Sequence, residues 1–296
     1  MVGLELVVIL GALAMGARLG GVGLGVWGGL GLAALTVVFG LTPTAPPIDV
    51  LLIILAVIIA AAVMEAAGGI DVLINLAERL IRGNPRHVTI LAPLVTYAFT
   101  FCAGTGHIVY PLLPVIYEVA YENQIRPERP MAIATIASQQ AITASPVSAA
   151  TLALCSLLAA QGIGLGTILA ITFPATVLAV LFAALVQTRV GKELMDDPEY
   201  QRRLAAGELE KARPHTIEKG NLRPGAKLAA VLFLTGVGLV VLAGAFPGLR
   251  PVVMNAEKPS PLPMPQTIEI TMLSVAAVIL PCSKVNVTQV LRARTF

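Results

Sequence analysis

"QQAITASPVSAATLALC", residues 139–155, lies within fifty-nine consecutive residues, Pro130–Thr188, that contain no Asp, Glu, Lys or Arg. Its centre, Thr143-Ala144-Ser145-Pro146-Val147-Ser148, is poor helix material. The residue before a proline avoids helical backbone angles, so a helix through this run breaks at Ser145. A bilayer crossing needs about 20 apolar residues. Met131–Ile142 and Pro146–Ala160 are each too short, and together they make one crossing. The stretch reads as a discontinuous membrane helix over about 131–160.

Composition supports the bilayer as solvent. Of 296 residues, 56% are hydrophobic and 12% charged, and the mean hydropathy is +0.84. A soluble domain carries about 25% charged residues, so this chain lacks the charge to cover a watery surface. The fold class is all-α integral membrane. The net charge of +3 makes no case for nucleic acid. Cys102, Cys155 and Cys282 lie in apolar stretches without metal-ligand spacing and read as small buried residues. No metal or cofactor is implied. At the N-terminus the first basic residue, Arg18, follows the apolar run, which is backwards for a signal peptide and right for a first helix with a cytoplasmic end.

Further spans are expected at Leu4–Ala17, Gly21–Leu41, Ile48–Ala66, Gly166–Gln187 and Leu228–Phe246, with a weaker one at Ile270–Cys282. Asp71–Arg82 places Leu73, Leu76 and Leu80 on one face and reads as an interfacial amphipathic helix with an i,i+4 pair, Glu78 and Arg82. The glycines of Gly21–Gly31 suit close helix packing rather than phosphate binding, since no strand precedes them.

A second irregular run is Val88–Tyr117, thirty uncharged residues centred on Cys102-Ala103-Gly104-Thr105-Gly106-His107. That is long for one helix and short for two spans and a turn. It predicts a re-entrant hairpin over about 88–117, which is tolerated at depth only where buried in protein or lining a watery cavity. With this hairpin opening inward and the N-terminus outside, all of the twenty Lys and Arg except Arg250 and Lys258 fall on the cytoplasmic side. A full crossing at 88–117 would invert every later loop. Residues 189–227 mix nine bases with seven acids and read as a solvated cytoplasmic loop, helical around Pro198–Ala206. The proline-rich outer loop 247–266 is expected to be irregular.

A hairpin tip and a helix break leave backbone groups unpaired, each costing several kcal/mol in hydrocarbon. An anionic substrate is a natural partner for the exposed N–H ends. Pro146 reads as the first residue of the outer half-helix with Ser145 as its N-cap. Gly104 and Gly106 let backbone approach a ligand, and Thr105, Thr143, Ser145 and Ser148 supply hydroxyls. His107 suits either a proton-linked switch or a neutral cap on the tip. Glu65, near an inner helix end, reads as an exposed carboxylate.

"ARLGGVGLG" (17–25), "NPRHVTILAPLVTY" (84–97), "FCAGTGHI" (101–108), "LPVI" (113–116), "QQAITASPVSAA" (139–150) and "DDPEYQRRL" (196–204), in that order, resemble the anaerobic C4-dicarboxylate transporter (Dcu) family. The resemblance implies a multi-pass carrier of the bacterial inner membrane, N-terminus periplasmic. It would take up fumarate, malate or aspartate in exchange for succinate during anaerobic respiration. It implies two inverted repeats, each with a hairpin and a broken helix. The implied ligand-facing residues are Gly104, Thr105, Gly106, His107, Gln139, Thr143, Ala144, Ser145, Pro146 and Ser148. At His107 the family pattern leads one to expect asparagine. Residues 1–188 would form the first repeat, 189–227 the cytoplasmic loop, and 228–296 the start of a second repeat that looks cut off. On that view the chain carries half a binding site and does not transport alone. The partners implied are small dicarboxylates and the lipid bilayer, with a membrane sensor kinase as an alternative regulatory partner and a homo-oligomer left open. A membrane-embedded enzyme would need a nucleophile–base pair or a metal cluster at depth, and the deep sequence offers hydroxyls, glycines and His107.

Overall fold

The apolar runs fold as helices, because a helix satisfies its own backbone groups where water is absent. The computed structural model describes the chain except residues 1, 21, 44–47, 159–160, 208–221, 256–257, 284, 286 and 291–296 and, beyond these, the side chains of residues 2, 49, 50, 107, 254, 255, 258, 287 and 289. Apart from one short strand pair it is an all-α membrane protein. Four segments among the described residues are long and apolar enough to cross a bilayer, or five with a bent pair counted as one.

Residues Met1–Ile48 form one compact unit. Its helices α1 (Val2–Leu19) and α2 (Val22–Val37) pack together across a turn at Gly20, φ 64°. A Cβ at Gly16 would come within 2.9 Å of Leu24, and one at Gly31 within 2.8 Å of Ala12, so these glycines set the helix spacing. Gly25, Gly28 and Gly29 meet nothing within the unit, so the packing role belongs to part of the motif only.

The second unit, Asp49–Phe296, carries the rest. Helix α3 (Ile48–Ala66) bends by 74° into α4 (Gly69–Gly83) through Gly68, whose φ of 81° suits glycine. α4 is the amphipathic helix expected, and Arg82 reaches Glu78 at 2.8 Å. Its buried stripe is Leu73, Ala77 and Ile81, whereas Leu76 and Leu80 are about half exposed. This corrects the expected face. The i, i+4, i+8 row fits the neighbouring helices, and the two leucines are left for lipid.

Helices α5 (Val88–Ala103) and α6 (Val109–Glu122) form the expected hairpin, joined by Gly104, Thr105 and a tight turn at Gly106–Ile108. At 16 and 14 residues, the arms are about 24 and 21 Å long, each short of the roughly 30 Å hydrocarbon core. α6 runs five residues past the uncharged stretch, because Arg82 receives Glu118 at 2.9 Å and Glu122 at 3.7 Å. The broken helix is α7 (Glu128–Ala144) followed by α8 (Ala149–Leu158). α9 (Leu165–Gln187) returns across, leaving Ile171, Leu178 and Phe182 exposed to lipid.

The segment after α9 is not simply solvated. A short turn at Leu194–Asp196 and α10 (Pro198–Ala205) dock on the α6–α7 connection. Arg126 binds Glu128 and, at 2.9 Å, Asp197. Buried Arg129 donates to the Val190 and Gly191 carbonyls and to Glu193. The Glu128 hydrogen bond and charge, then Asp197, hold the Arg126 guanidinium above its ordinary pKa. Tyr121 stacks on Tyr117 and meets Tyr200 edge-on. Its hydrogen bond to Tyr200, with burial, pushes the Tyr200 phenol up to about 12.

α11 (Ala226–Ala245) and α12 (Met264–Ser283) pack as a pair. Their connection is partly regular, against expectation. β1 (Val252–Asn255) pairs antiparallel with β2 (Lys258–Pro261), Val252 opposite Pro261. α12 starts six residues before the expected Ile270 and includes Glu269. Glu65 is half-buried and engaged rather than exposed. The start of α9 touches the end of α11, where a Cβ on Gly166 would lie 2.5 Å from the Gly244 carbonyl oxygen. Gly166→Ala is expected to destabilise the bundle by about 1–3 kcal/mol, seen as a lower melting temperature in detergent. Gly238→Ala, inside α11 with nothing within 4 Å, should not lower it.

Candidate functional site

The two interruptions meet in space. α5 ends at Gly104, held left-handed at φ 71°, with its N–H closing on the Thr100 carbonyl at 2.8 Å. A Cβ there would lie 2.8 Å from the Val147 carbonyl oxygen, inside the α7–α8 break. Gly106 is pressed against Gln139, whose Nε2 would be 2.8 Å from an added Cβ. The tip thus touches α7 one turn before the break and the break itself. At Gly104 the close atom is backbone, so only a residue without a side chain fits there, whereas at Gly106 it is the end of the Gln139 side chain.

Hydroxyls tie the parts together. Ser145 takes an extended conformation, φ −77° and ψ 130°, as the residue before Pro146 should. Its hydroxyl donates to the Phe101 carbonyl at 2.6 Å, one of the orphan carbonyls at the end of α5. Ser148 donates to the Ile142 carbonyl at 2.6 Å, and the Thr151 hydroxyl lies within 3.2 Å of the Ile142 and Thr143 carbonyls. The Thr151 N–H donates to the Ser148 oxygen at 3.1 Å, and the Leu152 N–H to the Ser148 carbonyl. Ser148 is therefore the N-cap of α8. This corrects the expected capping role of Ser145, which closes α7, and places Pro146 inside the break rather than in the first turn of α8.

Ser138 joins the tip to α7. It donates to the Gly106 carbonyl at 3.0 Å and lies 3.0 Å from the Thr100 hydroxyl. A serine has one proton. With that proton on Gly106, Thr100 is the donor to Ser138, and a continuous chain runs from α5 through α7 to the tip. Thr100, Ser138, Ser145 and Ser148 are all fully buried. Sequence reasoning missed Thr100, Ser138 and Thr151. The available signals were lone hydroxyls within apolar helices and the three-residue spacing from Ser148 to Thr151.

The expected residues therefore divide. Gly104, Gly106, Ser145 and Ser148 build the junction, with Ala144 and Pro146 buried beside them. The Ser145 and Ser148 hydroxyls serve backbone carbonyls. Gln139 and Thr143 are exposed on the outward face, where Thr143 bonds back to the Gln140 carbonyl at 2.7 Å. Thr105 is half-buried and engaged. The His107 side chain lies outside the described residues. Ala149 and Ala150, the first two residues of α8, are also exposed. Among the described residues, what faces outward here is neutral and includes the hydrogen-bonding Gln139 and Thr143. The Tyr97–Phe101–Phe173 aromatic cluster, with the Tyr97 hydroxyl 2.7 Å from that of Thr176, braces the junction against α9.

Comparison with known proteins places this architecture. Residues 1–296 match the family model described as anaerobic C4-dicarboxylate membrane transporter. The C4-dicarboxylate transporter DcuA of Wolinella succinogenes is 42% identical over 292 residues, covering 99% of this chain and 66% of the relative. The anaerobic C4-dicarboxylate transporter DcuB of Escherichia coli is 39% identical over 301 residues, 99% of this chain and 67% of the relative. The chain spans about two thirds of the length of these curated relatives. No solved structure matches it. Since the match runs through both interruptions and every helix between them, the chain belongs to the anaerobic C4-dicarboxylate membrane transporter family.

Proposed function

We propose that the protein carries C4-dicarboxylates across a bacterial inner membrane, exchanging fumarate, malate or aspartate for succinate, and that it holds the dianion where the hairpin tip meets the helix break. The observation that carries this reading is the contact of Gly104 and Gly106 with Val147 and Gln139, which joins two interruptions far apart in sequence. Membership of the family supports the substrate class. The dianion would be met by peptide N–H groups and by the Gln139 and Thr143 side chains, with no Lys or Arg at either break. Such neutral recognition favours modest affinity and easy release. A periplasmic N-terminus is supported by the bias that leaves Arg250 and Lys258 alone on the outer side. In this reading 1–188 make one repeat, 189–227 the cytoplasmic connection and 228–296 the opening of a second repeat. A sensor-kinase contact through 189–227 is disfavoured, because Arg126 and Arg129 already hold the first part of that segment to its own bundle.

The test is counterflow of labelled succinate against internal fumarate in proteoliposomes, together with binding of labelled succinate in nanodiscs. Binding should saturate and be displaced by fumarate but not by a monocarboxylate. Ser138→Ala strips the donor from the Gly106 carbonyl and the acceptor from Thr100, leaving buried polar groups unpaired at about 1–3 kcal/mol. It should weaken succinate binding about tenfold while the protein still reaches the membrane. Binding unchanged by Ser138→Ala, or displaced equally well by acetate, would refute the junction as the site.

A further inference from the structure

We propose a second binding site for a small dicarboxylate, in a cavity of about 470 Å³ at the far end of α8, with Arg250 as the recognising group. This rests on the carriage proposed above but names a different place. The volume is within the range of small-molecule sites, about 300–1,000 Å³. The walls come from α3, α8, the start of α9, the end of α11 and the start of α12, and Arg250 is the one charged residue among the lining. No described carboxylate pairs with it.

Its Nε donates to the Ala243 carbonyl at 3.0 Å. That bond fixes one edge of the guanidinium. The two terminal nitrogens form no ion pair with any described residue, and they are the fork that suits a carboxylate. Arg250 is half-buried among largely apolar walls and no described acid pairs with it, so its fork is open to an anion. Ser156 and Thr167 line the same space and supply hydroxyls for a second carboxylate.

The location gives the site a use. Cys155 lines the cavity and follows Ala149, the first residue of α8, by six positions, about 9 Å along the helix. The floor is Ile53, Leu152 and Ile268, which belong to the apolar core that also holds Val147 of the break. The cavity is thus a vestibule one apolar layer from the junction, on the side of Arg250. The Arg82, Arg126 and Arg129 ion pairs lie at the opposite end, beyond the 23 residues of α9. A dianion would be captured at Arg250 before the layer opens.

Cys155 is a built-in reporter. In the chain with Cys102→Ala and Cys282→Ala, held in phosphatidylcholine nanodiscs, its modification by anionic and cationic methanethiosulfonate reagents is timed with and without succinate. The anionic reagent should react about tenfold faster with Arg250 present than in Arg250→Gln, as a local positive field concentrates anions. Succinate should slow the reaction several-fold in the Arg250 protein and not in Arg250→Gln, and Arg250→Lys should recover part of both effects. The assignment is overturned if succinate gives no protection, or protects Arg250→Gln equally. It is also overturned if phosphatidylglycerol alone blocks Cys155, since the ligand is then a lipid headgroup. Protection at Cys155 with Ser138→Ala leaving succinate binding untouched would count against the junction site and for this one. The reverse pattern would count against this cavity only.

Discussion

Gly104→Ala is expected to abolish saturable succinate binding in nanodiscs and to lower the melting temperature in detergent by roughly 5–15 °C. Two effects add. A left-handed backbone at φ 71° costs a side-chain-bearing residue about 1–2 kcal/mol. The new Cβ would also stand 2.8 Å from the Val147 carbonyl oxygen. That atom is backbone, so relief requires the tip and the break to separate, at about 1–3 kcal/mol. Separation also pulls Phe101 from Ser145, the bond that holds the break to α5. The functional loss should exceed the loss of stability, because the damaged contact is the one proposed to shape the site. Gly83→Ala, a helical position with nothing within 4 Å, is the matched control and should change neither measurement. Succinate binding near wild type in Gly104→Ala would show that the junction is not where substrate is held.

Arg129→Ala should release the segment that follows α9. Arg129 is 5% exposed and makes three bonds, to the Val190 and Gly191 carbonyls and to Glu193. Truncation removes the donor from two carbonyls on exposed residues and empties the space that the guanidinium fills, for about 1–3 kcal/mol by the worth of hydrogen bonds from a charged donor. The Glu193 pair contributes little to that figure, as its carboxylate is 56% exposed. Tryptic cleavage at Arg189 and Lys192 should accelerate at least tenfold, and amides of α10 should exchange faster. Arg129→Lys, which keeps charge but loses the planar fork, should fall between. Arg202→Ala removes only an exposed pair, 68% and 50% accessible, and should behave as wild type. Unchanged cleavage in Arg129→Ala would mean that the Arg126–Asp197 pair and the tyrosine contacts suffice to hold α10 in place.

Much of this molecule could be read along the chain. Val88–Tyr117 was too long for one helix and too short for two spans, and that arithmetic gave the hairpin and its glycine tip. Pro146 dictated where α7 stops, because the constraint on Ser145 is local. Glu78 and Arg82 paired as their spacing required. Local chemistry failed where a partner distant in sequence decided the outcome. α6 outruns its apolar stretch because Arg82, more than thirty residues earlier, receives Glu118. The inward face of α4 is Leu73–Ala77–Ile81 rather than the leucine row, because its neighbours in the bundle select it. The α11–α12 connection forms strands since β1 and β2 find each other in register, a pairing that proline content obscures.

By itself the sequence determined that this chain dissolves in lipid, where its helices run, where two of them fail, and to which family it is similar, because hydropathy, proline geometry and glycine freedom act within a few residues. Only the tertiary structure decided that the two failures face one another, that Ser148 rather than Ser145 caps α8, and that buried Thr100 and Ser138 complete the frame. Those outcomes depend on which carbonyl lies opposite which hydroxyl, and that distance exists only after the helices have packed.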